Sequence, residues 1–264
     1  MALFQGTFFA KSISRATTFN LVLPNDCPDN IGETNENFRR PVKTLFLLHG
    51  YCGNYTDWLI NSPVQDLASR YNLAIVMPQG DNSFYLNGPS SCGKYEDFIS
   101  KDLVEYLQKT FKLALDPKDT FIGGLSMGGF GALHNGLAHP EVFGKMFGLS
   151  SALIQDEVAK MEPGTGNPVA NYDYYASAFG NPKDLPTSSN NPKAVAKKRV
   201  ENKEKIQPVF MACGSEDFLI EPNRNFKAYL ESLGIDVKYY ETPGVHDWKF
   251  WNEYIEKAIL FCLE

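Results

Sequence analysis

Short apolar runs alternate with stretches of helical spacing along most of the chain. Two β-like stretches, 6–11 and 17–23, come first and predict an antiparallel start to a sheet. The polar segment 25–40, with Asp29, Asn30, Gly32, Asn35 and Asn37, reads as an exposed loop. An apolar run at 42–48 follows, bounded by Pro41 and by His49-Gly50. Helical spacing covers 58–71, an apolar run at 73–77 ends at Pro78, and 98–111 is amphipathic. A short strand at 120–122 runs into glycines, 127–138 is helical, and 146–149 is again a strand. The last third repeats the theme: strand 209–213, helix 223–233 stopped by Gly234, strand 237–241 and helix 248–262. This rhythm predicts an α/β fold, a mostly parallel central sheet buried by helices on both faces.

Between 151 and 206 the rhythm breaks. Gly164, Gly166, Pro168, Gly180, Pro182, Pro186 and the run Ser188-Ser189-Asn190-Asn191-Pro192 fall there. The stretch reads as a partly helical excursion that covers the strand ends. With no internal repeat and no linker, residues 1–264 are expected to form one domain.

Composition narrows the classes. Hydrophobic residues are 43% and charged residues 21%, enough apolar material for a core without disulfides or metals. Aromatics at 13% exclude disorder as the main state. Lys and Arg number 25 against 31 Asp and Glu, a net charge of −6, which argues against nucleic acid as a partner. The densest basic stretch, 193–205, is interleaved with Glu201 and Glu204 and reads as a solvated helix surface. Cys27, Cys52, Cys92, Cys213 and Cys262 are scattered without metal-ligand spacing, so no metal is expected. No apolar run reaches membrane-span length and the start lacks the features of a signal peptide. The expected compartment is therefore the reducing cytoplasm, with no membrane partner. The sequence is compatible with a homo-oligomer.

The candidate chemistry begins at Gly124-Leu125-Ser126-Met127-Gly128, a G-x-S-x-G match. A strand ends just before it and a helix rich in small residues begins just after it. Such a sharp turn lifts a serine hydroxyl clear of the sheet, and the flanking glycines leave room for neighbouring backbone. A hydroxyl nucleophile needs a base. Of the four histidines, His134 lies too far along the following helix, and His139 reads as a helix-end or surface residue. His49 sits beside Gly50 at a strand end. His246 lies between the last strand and the last helix, at the sheet edge expected to hold Ser126, and is the base candidate. Asp217, after the strand 209–213, is the orienting carboxylate, with Glu216 as its nearest rival and Asp247 a poorer one. Oxyanion donors are expected at the N–H of Met127 and in the loop after strand 42–48, at Tyr51 with Cys52 as the alternative. Tyr51, Trp58, Phe84, Tyr85, Tyr172, Tyr174, Tyr175 and Trp248 fall near strand-end loops and suggest an apolar rim. Cys52, Trp58 and Trp248 are the expected substrate contacts.

These residues resemble, as a set, the esterase D branch of the α/β-hydrolases, with tributyrin esterases, S-formylglutathione hydrolases and related acyl-sugar esterases. The resemblance rests on Leu48-His49-Gly50 with Gly53-Asn54, Pro78-Gln79-Gly80, and Gly123 through Gly129. It continues through Cys213-Gly214-Ser215-Glu216-Asp217-Phe218 and Pro243-Gly244-Val245-His246-Asp247-Trp248, so it spans most of the chain. It implies an α/β-hydrolase fold and a carboxylesterase that acts on short acyl chains of small-molecule esters without a cofactor. The implied nucleophile is Ser126, the acid Asp217, the base His246, and the oxyanion donors Tyr51 and Met127. The tributyrin esterase group is the nearest in likeness. Acylated sugars are the finer substrate expectation. A thioesterase of the S-formylglutathione hydrolase type and an acyltransferase would use the same residues. A noncatalytic binding protein on this fold usually lacks one of them.

Overall fold

A computed structural model describes residues 1–26 and 34–264. Cys27 and residues 28–33 of the expected 25–40 loop lie outside the described residues; within the rest, Glu36–Arg39 forms a 3₁₀ turn capped by the Asn35 side chain. The strands are β1 (Ala2–Ala10), β2 (Arg15–Leu23), β3 (Lys43–Leu48), β4 (Leu73–Pro78), β5 (Thr120–Leu125), β6 (Lys145–Leu149), β7 (Val209–Gly214) and β8 (Val237–Thr242). They form one eight-stranded sheet in the order β1-β2-β4-β3-β5-β6-β7-β8. β1 and β2 run antiparallel to their neighbours, and β4 through β8 pair in parallel.

The two-residue period of each strand divides the core between the faces of the sheet. Phe46 and Leu48 of β3 join Val76, Ile122, Met146 and Met211 on one face. Leu45 and Leu47 join Ile75, Phe121, Phe147 and Phe210 on the other. The first face is covered by α4 (Met127–Ala138), α7 (Pro192–Glu201) and α8 (Ile220–Ser232). The second is covered by α1 (Asp57–Asn61), α2 (Val64–Arg70) and α9 (Trp248–Leu263).

Two expected helices differ in detail. The periodic stretch 58–71 is split into α1 and α2, because Pro63 cannot continue the ladder and Ser62 before it is extended (φ −141°, ψ 163°). The amphipathic stretch 98–111 starts earlier, with a turn at Tyr95–Asp97 and a π turn at Phe98–Asp102 leading into α3 (Leu103–Phe111). The segment 151–206 leaves the sheet as expected and carries α5 (Gln155–Val158), α6 (Tyr172–Phe179), a 3₁₀ stretch Pro182–Thr187 and α7.

Strand order sets the position of the site. From β3 the chain moves to β4 on one side and then returns to place β5 on the other. The loops after β3 and β5 therefore diverge at their carboxyl ends and leave a crevice between them. Those after β7 and β8 open on the same edge.

Candidate active site

Ser126 stands between β5 and α4 with φ 53° and ψ −119°, a strained conformation for a residue with a side chain. Its backbone is anchored on both sides: its N–H donates to Leu149 O at 2.9 Å, and its carbonyl accepts from Ala152 and Phe130. The turn is tight because glycines flank it. A Cβ on Gly128 would lie 2.3 Å from Leu48 O and 2.6 Å from His49 O, and one on Gly124 would lie 2.5 Å from Gly128 O.

The loops after β7 and β8 are tied together, which brings acid and base into register. Ser215 N–H donates to Thr242 O and Glu216 N–H to Gly244 O. His246 Nδ1 then lies 2.9 Å from Asp217 Oδ2 and 3.1 Å from Oδ1, and its Nε2 lies 3.0 Å from Ser126 Oγ. Asp217 is buried at 2% exposure. Burial alone would raise its carboxyl pKa, but His246, the Leu219 N–H and the Ser150 hydroxyl together hold it below the ordinary aspartate value. Glu216, the rival, makes no hydrogen bond to the imidazole among the described residues, and Asp247 caps α9 by accepting from Phe250 N–H. The Phe218 and Trp251 rings flank the imidazole, with centroids 4.7 and 5.0 Å from it.

The remaining histidines have other partners. His49 is buried; its Nε2 accepts from Gly80 N–H, so Nδ1 carries the proton and donates to Gly50 O at 2.8 Å. Burial pushes its pKa down, which keeps the ring neutral as a brace beneath the loop after β3. His134 and His139 both meet Glu96.

The Tyr51 and Met127 N–H groups have no hydrogen-bond partner among the described residues. The alternative donor, Cys52, gives its N–H to Asn82 Oδ1 at 2.8 Å. The Tyr51 ring meets Tyr174 edge-on, and the Tyr174 hydroxyl donates to Asn82 O.

A cavity of about 510 Å³ opens onto Ser126 and His246. Tyr51, Phe84, Met127, Ala152, Ile154, Tyr175, Phe218, Leu219 and Pro222 line it, with Glu157, Asn167, Pro168 and Val169 from the 151–206 segment. Of the expected rim, Tyr51, Phe84 and Tyr175 are present. Trp58 and Trp248 are placed elsewhere, which corrects their expected role as substrate contacts. Trp58 is buried at 1% exposure in the core on the α9 face and donates Nε1–H to Leu48 O; Trp248 packs edge-on against it at 5.1 Å. Tyr85 is likewise internal, its hydroxyl bonded to His49 O. Cys52 is exposed and does not line the cavity. Phe218 was not anticipated; its signal is a large apolar residue directly after the acid at a strand end, and it is 72% exposed.

The family model described as "Putative esterase" matches residues 10–261. The chain belongs to this esterase family. An acetyl esterase from Caldicellulosiruptor saccharolyticus is 40% identical to this esterase over 258 residues, 98% of this chain and 97% of the relative. Among solved structures, the substrate-bound fluorophosphonate-binding serine hydrolase F of Staphylococcus aureus superposes with a TM-score of 0.84 at 26% identity. That match covers 100% of this chain and 98% of the other. The S-formylglutathione hydrolase of the same organism, in its apo form, gives 0.82 at 26% identity, covering 100% and 99%. The fold is that of the α/β-hydrolases, and the protein is a carboxylic ester hydrolase. Among the described residues no helix is long and apolar enough to cross a membrane, and no group of three or more His, Cys, Asp or Glu could hold a metal ion.

Proposed function

We propose that this esterase hydrolyses short-chain acyl esters, acylated sugars among them, through an acyl-enzyme on Ser126. The observation that carries the reading is the continuous path from Ser126 Oγ to His246 Nε2 and from His246 Nδ1 to Asp217. His246 takes the hydroxyl proton as Oγ adds to the ester carbonyl. Asp217, ionised and buried, fixes the tautomer and stabilises the imidazolium. The tetrahedral oxyanion is received by the Tyr51 and Met127 N–H groups, both free of other partners among the described residues, and each such donor lowers the barrier by roughly 3–4 kcal/mol. Collapse expels the alcohol, which takes the proton from His246. Water then repeats the sequence on the acyl-enzyme, with His246 as base, and releases the acid and Ser126.

A cavity of this volume must hold both the acyl group and the alcohol, which favours short acyl chains. The 40% identical acetyl esterase supports the same reading. Cys52, Cys92, Cys213 and Cys262 are free thiols, in keeping with a reducing cytoplasm. The test is a series of p-nitrophenyl esters from acetate to octanoate, with fluorophosphonate labelling of wild type and Ser126→Ala. Wild type is expected to label and to favour the shorter esters, and Ser126→Ala to do neither. Activity peaking at octanoate would overturn the short-acyl assignment, and undiminished turnover by Ser126→Ala would overturn the mechanism.

A further inference from the structure

The cavity is apolar except at two places: Ser126 with His246, and a polar wall contributed by the 151–206 segment. On that wall Glu157 is the single carboxylate among the described lining residues, and no lysine or arginine stands with it. Of the nearby cations, Lys193 pairs with Asp156 and Lys183 with Glu162, while Lys160, exposed three residues after Glu157, does not line the cavity.

Asn167 orients the carboxylate. Its Oδ1 accepts from the Val169 and Ala170 N–H groups at 2.9 and 3.0 Å, which turns its amide nitrogen away from that loop. That nitrogen donates to Glu157 Oε1 and to the Tyr175 hydroxyl, each at 3.2 Å. Glu157 Oε2 has no partner among the described residues. A held carboxylate with an open oxygen accepts a hydrogen bond from a hydroxyl and repels an anion.

We propose that Glu157, held by Asn167, makes the cavity selective for charge: it favours esters whose leaving group is uncharged and bears a hydroxyl, and rejects anionic ones. The proposal rests on the esterase reading above and specifies the class of leaving group. A free sugar hydroxyl belongs to the favoured class. A thiol carrying two carboxylates, such as glutathione, belongs to the rejected one.

The experiment compares 4-acetoxybenzyl alcohol with 4-acetoxybenzoate, which share the acetyl group and the aryl oxygen and differ in charge. The readout is the ratio of their kcat/KM values within one enzyme, so a loss common to both esters cancels. Glu157→Gln is expected to reduce the preference for the neutral ester about three- to tenfold, and Glu157→Lys to reduce it further. High salt, about 0.5 M, should shrink the wild-type preference and leave that of Glu157→Gln in place. An unchanged ratio in both variants, with turnover retained, overturns the proposal and leaves the esterase reading standing. A wild type that cleaves neither ester overturns the esterase reading, and the proposal with it.

Discussion

The His246 imidazole stands edge-on to the Trp251 indole, with ring centroids 5.0 Å apart and planes at 89°. The same indole donates Nε1–H to the Ser150 hydroxyl at 3.1 Å, and that hydroxyl helps keep Asp217 ionised. One side chain of α9 thus steadies the base directly and the acid through a single oxygen. Trp251→Phe keeps a ring edge and deletes the donor, while Ser150→Ala deletes the relay. Each is expected to lower kcat severalfold with little change in KM, and the double variant to lose less than the product of the two. Without Ser150 the Asp217 carboxyl loses one of the groups that hold it below its ordinary value. Multiplicative losses would show that the two residues act independently, through general packing.

Asp217→Asn tests the orienting role more severely. An amide can present its NH₂ to Nδ1 and leave the imidazole in the wrong tautomer for accepting the Ser126 proton. A fall in kcat of about 10³–10⁴ is expected, in line with the behaviour of serine triads generally. Circular dichroism should show the protein folded, because the variant preserves shape and the acceptor for Leu219 N–H. A loss below tenfold would move the role to another carboxylate.

Gly128→Ala should break the turn that carries Ser126. The added methyl would meet the Leu48 and His49 carbonyls, which are backbone atoms at the end of a paired strand and cannot swing aside. Relief requires β3 and α4 to separate, at a cost of about 1–3 kcal/mol, and displaces Tyr51 relative to Ser126. Gly93→Ala is the contrast: the nearest atom to its new methyl is 3.5 Å away, so a change within about 0.5 kcal/mol is expected. Denaturant midpoints of the two variants decide it, and equal midpoints would contradict the contact argument.

The alternation of apolar runs made the parallel strands legible, and with them the sheet edge on which residues 126, 217 and 246 converge. The faces were less legible. A two-residue period separates Leu45 and Leu47 from Phe46 and Leu48 without saying which set meets which helix, so Trp58 was expected at the rim when it packs below the sheet. The 151–206 segment was legible as an excursion and not as a wall of the cavity. Its order comes from asparagine side chains, which read in sequence as loop composition. Asn171, Asn181 and Asn191 each cap a helical segment, and Asn167 closes the turn before α6. Glu157 becomes a candidate only once Asn167 is placed beside it.

A pH dependence of stability follows from Glu96, which bonds to His134 Nε2 at 3.0 Å and His139 Nε2 at 2.9 Å. Burial would raise its carboxyl pKa, but the two imidazoles outweigh burial and hold it well below the usual carboxylate range. Burial would lower His139, and Glu96 with Glu141 outweighs that and raises it. A depressed carboxylate stabilises fully above its unfolded pKa, about 4.3, and loses that contribution as pH falls toward its folded value. A raised imidazole stabilises fully below its unfolded pKa, about 6.5, and loses that contribution as pH climbs through its folded value. Both contributions are therefore complete between about pH 4.5 and 6.5. Glu96→Gln, nearly the same shape, should cost about 2 kcal/mol in that window, and the deficit should narrow on either side of it. Urea midpoints of wild type and variant across pH 3 to 9 measure the difference, and a deficit constant with pH would mean that the Glu96 charge contributes nothing to the fold.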